Sequence, residues 1–171
     1  MKKLVLTALL ILSAAVLKAS TVIWGLYDTV DTTKFASGTA YLICVDNLAR
    51  PTFADDTAAT AWFTENGSSL ASLAFRSTTV TDGAVSATEV IDEDIGRKNY
   101  WLLIVNDDST ALAVSSSQKA LQIKTGTMNV TGKWTGSTQM NSYVLGNVPE
   151  PTSGMLLLLG VAGLMLRRKL V

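Results

Sequence analysis

Few side chains in this sequence have the reach to do chemistry. Acidic residues gather at Asp55-Asp56, Asp92-Glu93-Asp94 and Asp107-Asp108. Two carboxylates on facing elements, about 5–10 Å apart, hydrolyse glycosidic bonds. Acids spaced along a loop bind calcium. The stretch "IDEDIG" (91–96) lacks the alternating ligands, central glycine and closing glutamate of an EF-hand loop, and reads as a solvated loop. Asp107-Asp108 follows an apolar run and reads as a turn. Asp55 or Asp56 heads a helical pattern and reads as its cap. The chain has no histidine, which removes the commonest general base and the commonest transition-metal ligand. Its one cysteine, Cys44, lies in the apolar run "AYLICVD". It has no partner for an internal disulfide and reads as a buried small hydrophobe. The residues thus point away from an enzyme, and no metal or cofactor is expected.

Aromatic residues offer a second kind of chemistry, stacking on sugars. Of Trp24, Trp62, Trp101 and Trp134, Trp62 and Trp101 fall in apolar patterns and read as core. Trp134, in "TGKWTGS", has the setting of an exposed loop. It is the candidate ligand-binding residue, against the plainer reading of a tryptophan packed on a sheet edge. The sequons at Asn66 and Asn129 are short enough to arise by chance.

Charge excludes one class of partner. The 14 basic and 14 acidic residues balance overall. Lys2, Lys3 and Lys18 sit at one end, and Arg167, Arg168 and Lys169 at the other. Between them acids outnumber bases, so the middle lacks the basic footprint that nucleic acid requires.

The elements that deliver the domain lie at those two ends. "MKKLVLTALLILSAAVLKAS" combines Lys2 and Lys3 with an apolar run over 4–17, the pattern of a signal peptide. Cleavage after Ala19 leaves "STVIWGLYD" as a fresh strand; cleavage after Ala15 fits the small-residue rule better. The expected partners are the secretion translocon and signal peptidase. At the far end, residues 152–166 carry no charge. As a helix they extend about 22 Å, short of the roughly 30 Å hydrocarbon core of a bilayer. Snorkelling and bilayer thinning let so short a segment span. Arg167, Arg168 and Lys169 hold their side in the cytoplasm. The topology is a single-pass inner-membrane intermediate with the domain outside.

The chain ends "VPEPTSGMLLLLGVAGLMLRRKLV" (148–171). Pro149-Glu150-Pro151, a short glycine-bearing apolar run and Arg167-Arg168-Lys169 stand in that order. This arrangement resembles the PEP-CTERM sorting signal of Gram-negative bacteria. The resemblance covers these last residues alone; Leu170 and Val171 extend past its basic cluster. It implies recognition by exosortase, a membrane-embedded cysteine protease or transpeptidase, a cut near Pro-Glu-Pro, and delivery to the cell surface or extracellular matrix. Hosts of the system often make exopolysaccharide, which makes that polymer a candidate partner. The prolines also have a physical role: they fix their own backbone and push Val148 and Glu150 toward extended conformations that a protease cleft can grip.

The middle predicts an α+β fold, a small antiparallel sheet with a helical hairpin on one face, with a β-sandwich as the alternative. Residues 21–28 read as a strand. Residues 38–47 and 99–108 are apolar on both faces and read as neighbours at the centre of the sheet. Residues 83–91, 109–115 and 120–126 are further strand candidates, with a hairpin at "NDD". "DDTAATAWFTENG" reads as a helix stopped at Asn66-Gly67. Ser68 then caps a second helix through "SLASLAF", with Leu70, Leu73 and Ala74 inward. The division is a signal peptide (1–19), a globular domain (20–126), an edge strand running into a Thr/Gly/Ser-rich linker (127–147) and the sorting signal (148–171). The expected role is a structural or adhesive surface protein. A small carbohydrate-binding module is the rival reading, and a hydrolase the weaker one.

Overall fold

Strands dominate, as the Thr- and Val-rich composition predicts. The computed structural model describes residues 19–126 and 129–146. Residues 1–18 of the expected signal peptide (1–19) and the expected membrane helix over 152–166 lie outside the described residues. Among the described residues, no helix is long and apolar enough to cross a membrane.

Among the described residues, nine strands form two sheets: β1 (Ser20–Leu26), β2 (Ser37–Cys44), β3 (Ala74–Thr81), β4 (Ser86–Ile91), β5 (Gly96–Asn106), β6 (Ala111–Ser115), β7 (Lys119–Ile123), β8 (Val130–Trp134) and β9 (Met140–Val144). The larger sheet runs β3-β2-β5-β6-β9, with β7 also on β5. All its pairings are antiparallel. The smaller sheet runs β4-β1-β8, and β8 lies parallel to β1.

The two strands expected at the centre are there, with Tyr41 opposite Leu103 and Leu42 opposite Leu102. Their unbroken apolar character has a direct cause. Ala40, Leu42, Tyr100, Leu102 and Ile104 face one core, shared with Val22, Trp24 and Leu26 of the small sheet. Ile43, Trp101, Leu103 and Val105 face a second core on the other side. A strand buried on both faces has no polar set to alternate with its apolar one. β6 divides the same way: Ala111 and Ala113 fill the inter-sheet core, while Leu112 and Val114 face the helix. Two sheets enclosing a core is the arrangement named above as the alternative.

The second core is closed by α1 (Asp56–Asn66), which buries Ala59 and Phe63. Asp55 caps it, its carboxylate accepting the Ala58 N–H at 2.8 Å. Trp62 and Trp101 meet edge to face at 6.4 Å, and the Trp101 indole donates to the Leu48 carbonyl at 2.9 Å.

The expected helical hairpin is not formed. Gly67 takes right-handed helical angles (φ −54°, ψ −43°) and bonds back to the Phe63 carbonyl. The chain continues through a 3-10 turn (Gly67–Ser69) into the single turn α2 (Leu70–Leu73). Glycine here answers a need for space: a Cβ would come within 3.1 Å of the Phe63 ring. The left-handed reversal expected of Asn-Gly is therefore absent. Leu70 is buried as expected, while Leu73 and Ala74 are half-buried.

The stretch expected to be one edge strand running into a linker holds two edge strands, β8 and β9, and the linker is the part corrected. β8 pairs with β1 in full register from Val22–Val130 to Leu26–Trp134. After the one-turn α3 (Gly136–Gln139), β9 pairs with β6 from Ala111–Val144 to Ser115–Met140. Small polar residues suggested a solvated tether. They are instead fitted to close approaches. Gly132 abuts Leu121, and a Cβ on Gly136 would come 2.6 Å from the Thr29 carbonyl oxygen.

Candidate functional site

The last described residues, Val144, Leu145 and Gly146, are held by β9 and the contacts beyond it. The Val144 N–H donates to Asp56 Oδ1 at 3.1 Å. The Leu145 N–H donates to the Thr110 carbonyl at 2.7 Å, and Leu145 is buried. The Gly146 N–H donates to Thr60 Oγ1 at 3.0 Å. The same hydroxyl donates to the Asp56 carbonyl at 2.7 Å, which orients its lone pairs outward. Asp56 and Thr60 of α1, with Thr110, thus hold the end of the strand. An open hollow of about 590 Å³ flanks it, lined by Asp56, Thr57, Thr60, Ala61, Val144, Leu145 and Gly146. Sequence reasoning missed Asp56 and Thr60 in this role. No local signal marks it, because the partners lie 88 and 86 positions away along the chain.

At the other end, Ala19 is exposed and Ser20 is buried at the head of β1. The Ser20 hydroxyl donates to the Lys124 carbonyl. A cut after Ala19 leaves a chain whose first residue is already part of the small sheet.

Trp134 is not an exposed platform. It is 0 % exposed, in the inter-sheet core. Its indole N–H donates to the Ser117 carbonyl at 3.0 Å, and the Lys119 ammonium lies 5.7 Å from its ring centroid. No face is left for a sugar. The alternation of β8 turns Gly132 and Trp134 inward, while Thr131 is exposed.

The acidic clusters are dispersed. Asp55 caps α1, and Asp56 holds β9. Asp107-Asp108 forms the β5–β6 turn, where Ser109 has a positive φ of 54°. Asp94 accepts the Thr125 N–H. Among the described residues, no three His, Cys, Asp or Glu side chains are close enough to hold a metal ion. Cys44 is buried. Its cross-strand neighbour is Tyr100, whose phenol is pushed up to about 12, chiefly by burial.

Three surface aspartates are held below the ordinary value of 3.8 by hydrogen bonds to their charged forms. Asp28 accepts from the Ser137 hydroxyl and the Gly136 and Ser137 N–H groups. Asp31 accepts from the Thr33 hydroxyl and N–H. For Asp94 the Thr125 N–H is the leading cause. A depressed carboxylate stabilises the fold above its unfolded pKa, and the gain is lost as pH falls through the folded value. The denaturation midpoint should therefore hold steady above about pH 5 and drop below pH 3.8. The Asp28→Asn variant should show a shallower drop, measurable by denaturant titration at each pH.

Pro149, Glu150, Pro151, Arg167, Arg168 and Lys169 lie outside the described residues. Comparison of the chain with known families identifies this segment directly. Residues 147–169 match the family described as "PEP-CTERM protein-sorting motif". No curated protein and no solved structure matches the chain. The matched segment begins at the residue after Gly146, the last of the three that α1 and the β5–β6 connection hold.

Proposed function

We propose that this chain, which carries a PEP-CTERM sorting motif at residues 147–169, is a non-catalytic structural or adhesive component of the bacterial surface or extracellular matrix. The motif marks an exported protein that exosortase processes at the membrane and sorts to the cell surface. The signal peptide brings the chain to the translocon. The apolar run over 152–166 stops it in the inner membrane, with Arg167, Arg168 and Lys169 inside. Exosortase then takes the Pro149-Glu150-Pro151 segment and passes the domain onward.

The position of the motif carries this reading. It sits at the carboxy-terminal end, directly after a folded domain. A structural role is supported by the domain's build. Its four tryptophans lie in or against the two cores, Asp55 caps α1, Asp56 holds β9, and Asp46 and Glu89 pair with Lys98 and Arg76. The carbohydrate-binding reading loses the residue that suggested it, since Trp134 has no exposed face. The test is fractionation of cells with and without exosortase. The domain should reach the surface fraction only when the enzyme is present, and remain as an inner-membrane precursor when it is absent. Equal surface delivery in both would refute the assignment.

A further inference from the structure

β4 is an outer strand of the small sheet, and among the described residues its ladder runs to β1 alone. The register is unbroken from Ser20–Ile91 to Gly25–Ser86. Along an antiparallel pair, hydrogen-bonded and non-bonded positions alternate. The Leu26 N–H donates to the Val85 carbonyl at 2.8 Å, so Ala87, Glu89 and Ile91 are the residues of β4 that bond to β1. Ser86, Thr88 and Val90 therefore direct their N–H and carbonyl groups along the open edge. All three are exposed, Val90 to 71 %.

An open edge is normally blunted by charge, proline, a bulge or a covering element. The other outer strands have such devices. The pairing of β3 is broken by a register shift at Leu42/Ile43. β8 carries Lys133, and α1 holds the end of β9. β4 has no proline and one charge, Glu89, which Arg76 neutralises at 2.6 Å. What fits this edge is another extended, uncharged strand, and β4 is complementary to itself. About a two-fold axis at Thr88, Ser86 meets Val90 of a second copy, and Thr88 meets its own equivalent. Every edge-directed N–H and carbonyl of the three residues is then bonded, and Glu89 lies opposite Ala87. Charge selects this register. A slip of two residues one way sets Glu89 against Glu89 at a non-bonded position, where side chains come closest and like charges repel. A slip the other way leaves Val90 opposite Ala84, in the turn before β4. The acids Asp82 and Asp92–Asp94 stand outside the paired residues at either end.

We propose that β4 pairs antiparallel with β4 of a second copy about a two-fold axis at Thr88, joining two small sheets edge to edge. The interface is isologous and closes on itself, so it makes dimers and not filaments. It goes beyond the surface role above and does not depend on the sorting reading.

The test is disulfide trapping of the full chain in cells that export it, with a mild oxidant added. Cys44 is buried and does not compete. Thr88→Cys should give a covalent dimer, since residues opposite each other lie about 5.5 Å apart at Cα, within disulfide reach. Ser86→Cys and Val90→Cys should each stay monomeric, because like positions then lie about 13 Å apart along the strand. Co-expressed, the two should cross-link to each other. Glu65→Cys, exposed on α1, should give no dimer. Adding Thr88→Pro to the co-expressed pair should abolish their cross-link, since it removes an edge-directed N–H and spares the bonds to β1. Thr88→Cys dimers no more abundant than those of Glu65→Cys overturn the proposal. So do dimers of Ser86→Cys alone, which report another register, and a cross-link of Thr88→Cys to a different protein, which reports another occupant.

Discussion

Trp134→Ala should lower the stability of the domain by about 3–5 kcal/mol, the cost of emptying a fully packed aromatic site. The side chain sits where the small sheet meets the large one, among the largest fully buried residues of the fold. Removing it leaves a cavity that strands on two sides cannot both close. It also strands the Ser117 carbonyl, which now accepts the indole N–H. Such a loss is a large share of the stability of a small domain. The variant should unfold at a far lower denaturant concentration and be recovered poorly from cells. Tyr27, 69 % exposed at the end of β1, provides the contrast. Tyr27→Ala should change stability by less than about 0.5 kcal/mol. Equal midpoints for the two variants would show that the inter-sheet core does not depend on Trp134.

Replacing Pro149-Glu150-Pro151 with three alanines should abolish release and trap the full-length protein in the inner membrane. Each proline fixes its own φ and disfavours helix for the residue before it. Alanine is the best helix former. The substitution removes both restraints on the backbone and so works against the extended conformation that a cleft would grip. Mature protein should fall below detection, with the precursor accumulating in its place. Release at the wild-type level would mean that the tripeptide is not what the protease reads. The domain itself should melt as before, because Gly146 marks the end of its described hydrogen bonds at this end.

Much of the fold was legible where a residue's neighbours along the chain decide its state. The doubly buried strands β2 and β5 announced themselves as continuous apolar runs. Asp55-Asp56 announced a cap by standing ahead of "TAATAWF", and the structure assigns it to Asp55. The tail announced its sorting motif through the order of prolines, apolar run and cations, all of them adjacent along the chain. What remained hidden was decided at a distance. Gly67 looked like a stop, but it was small to admit Phe63. Residues 127–147 looked like one edge strand running into a tether, because their strands are short and built from small polar residues around Gly132 and Trp134. Their strand character comes from β1 and β6, far away along the chain. Trp134 looked exposed for the same reason, since its burial depends on a sheet that its local sequence does not reveal. The hold of Asp56 and Thr60 on β9 also carries no local signature.

Intact-mass measurement of the protein recovered from the cell surface, beside the form in the inner membrane, bears most directly on the sorting mechanism. The membrane form should begin at Ser20 and retain the tail through Val171. The surface form should begin at the same residue and end within or just before Pro149-Glu150-Pro151, with Arg167, Arg168 and Lys169 gone. A surface species that still carries the whole tail would contradict exosortase processing.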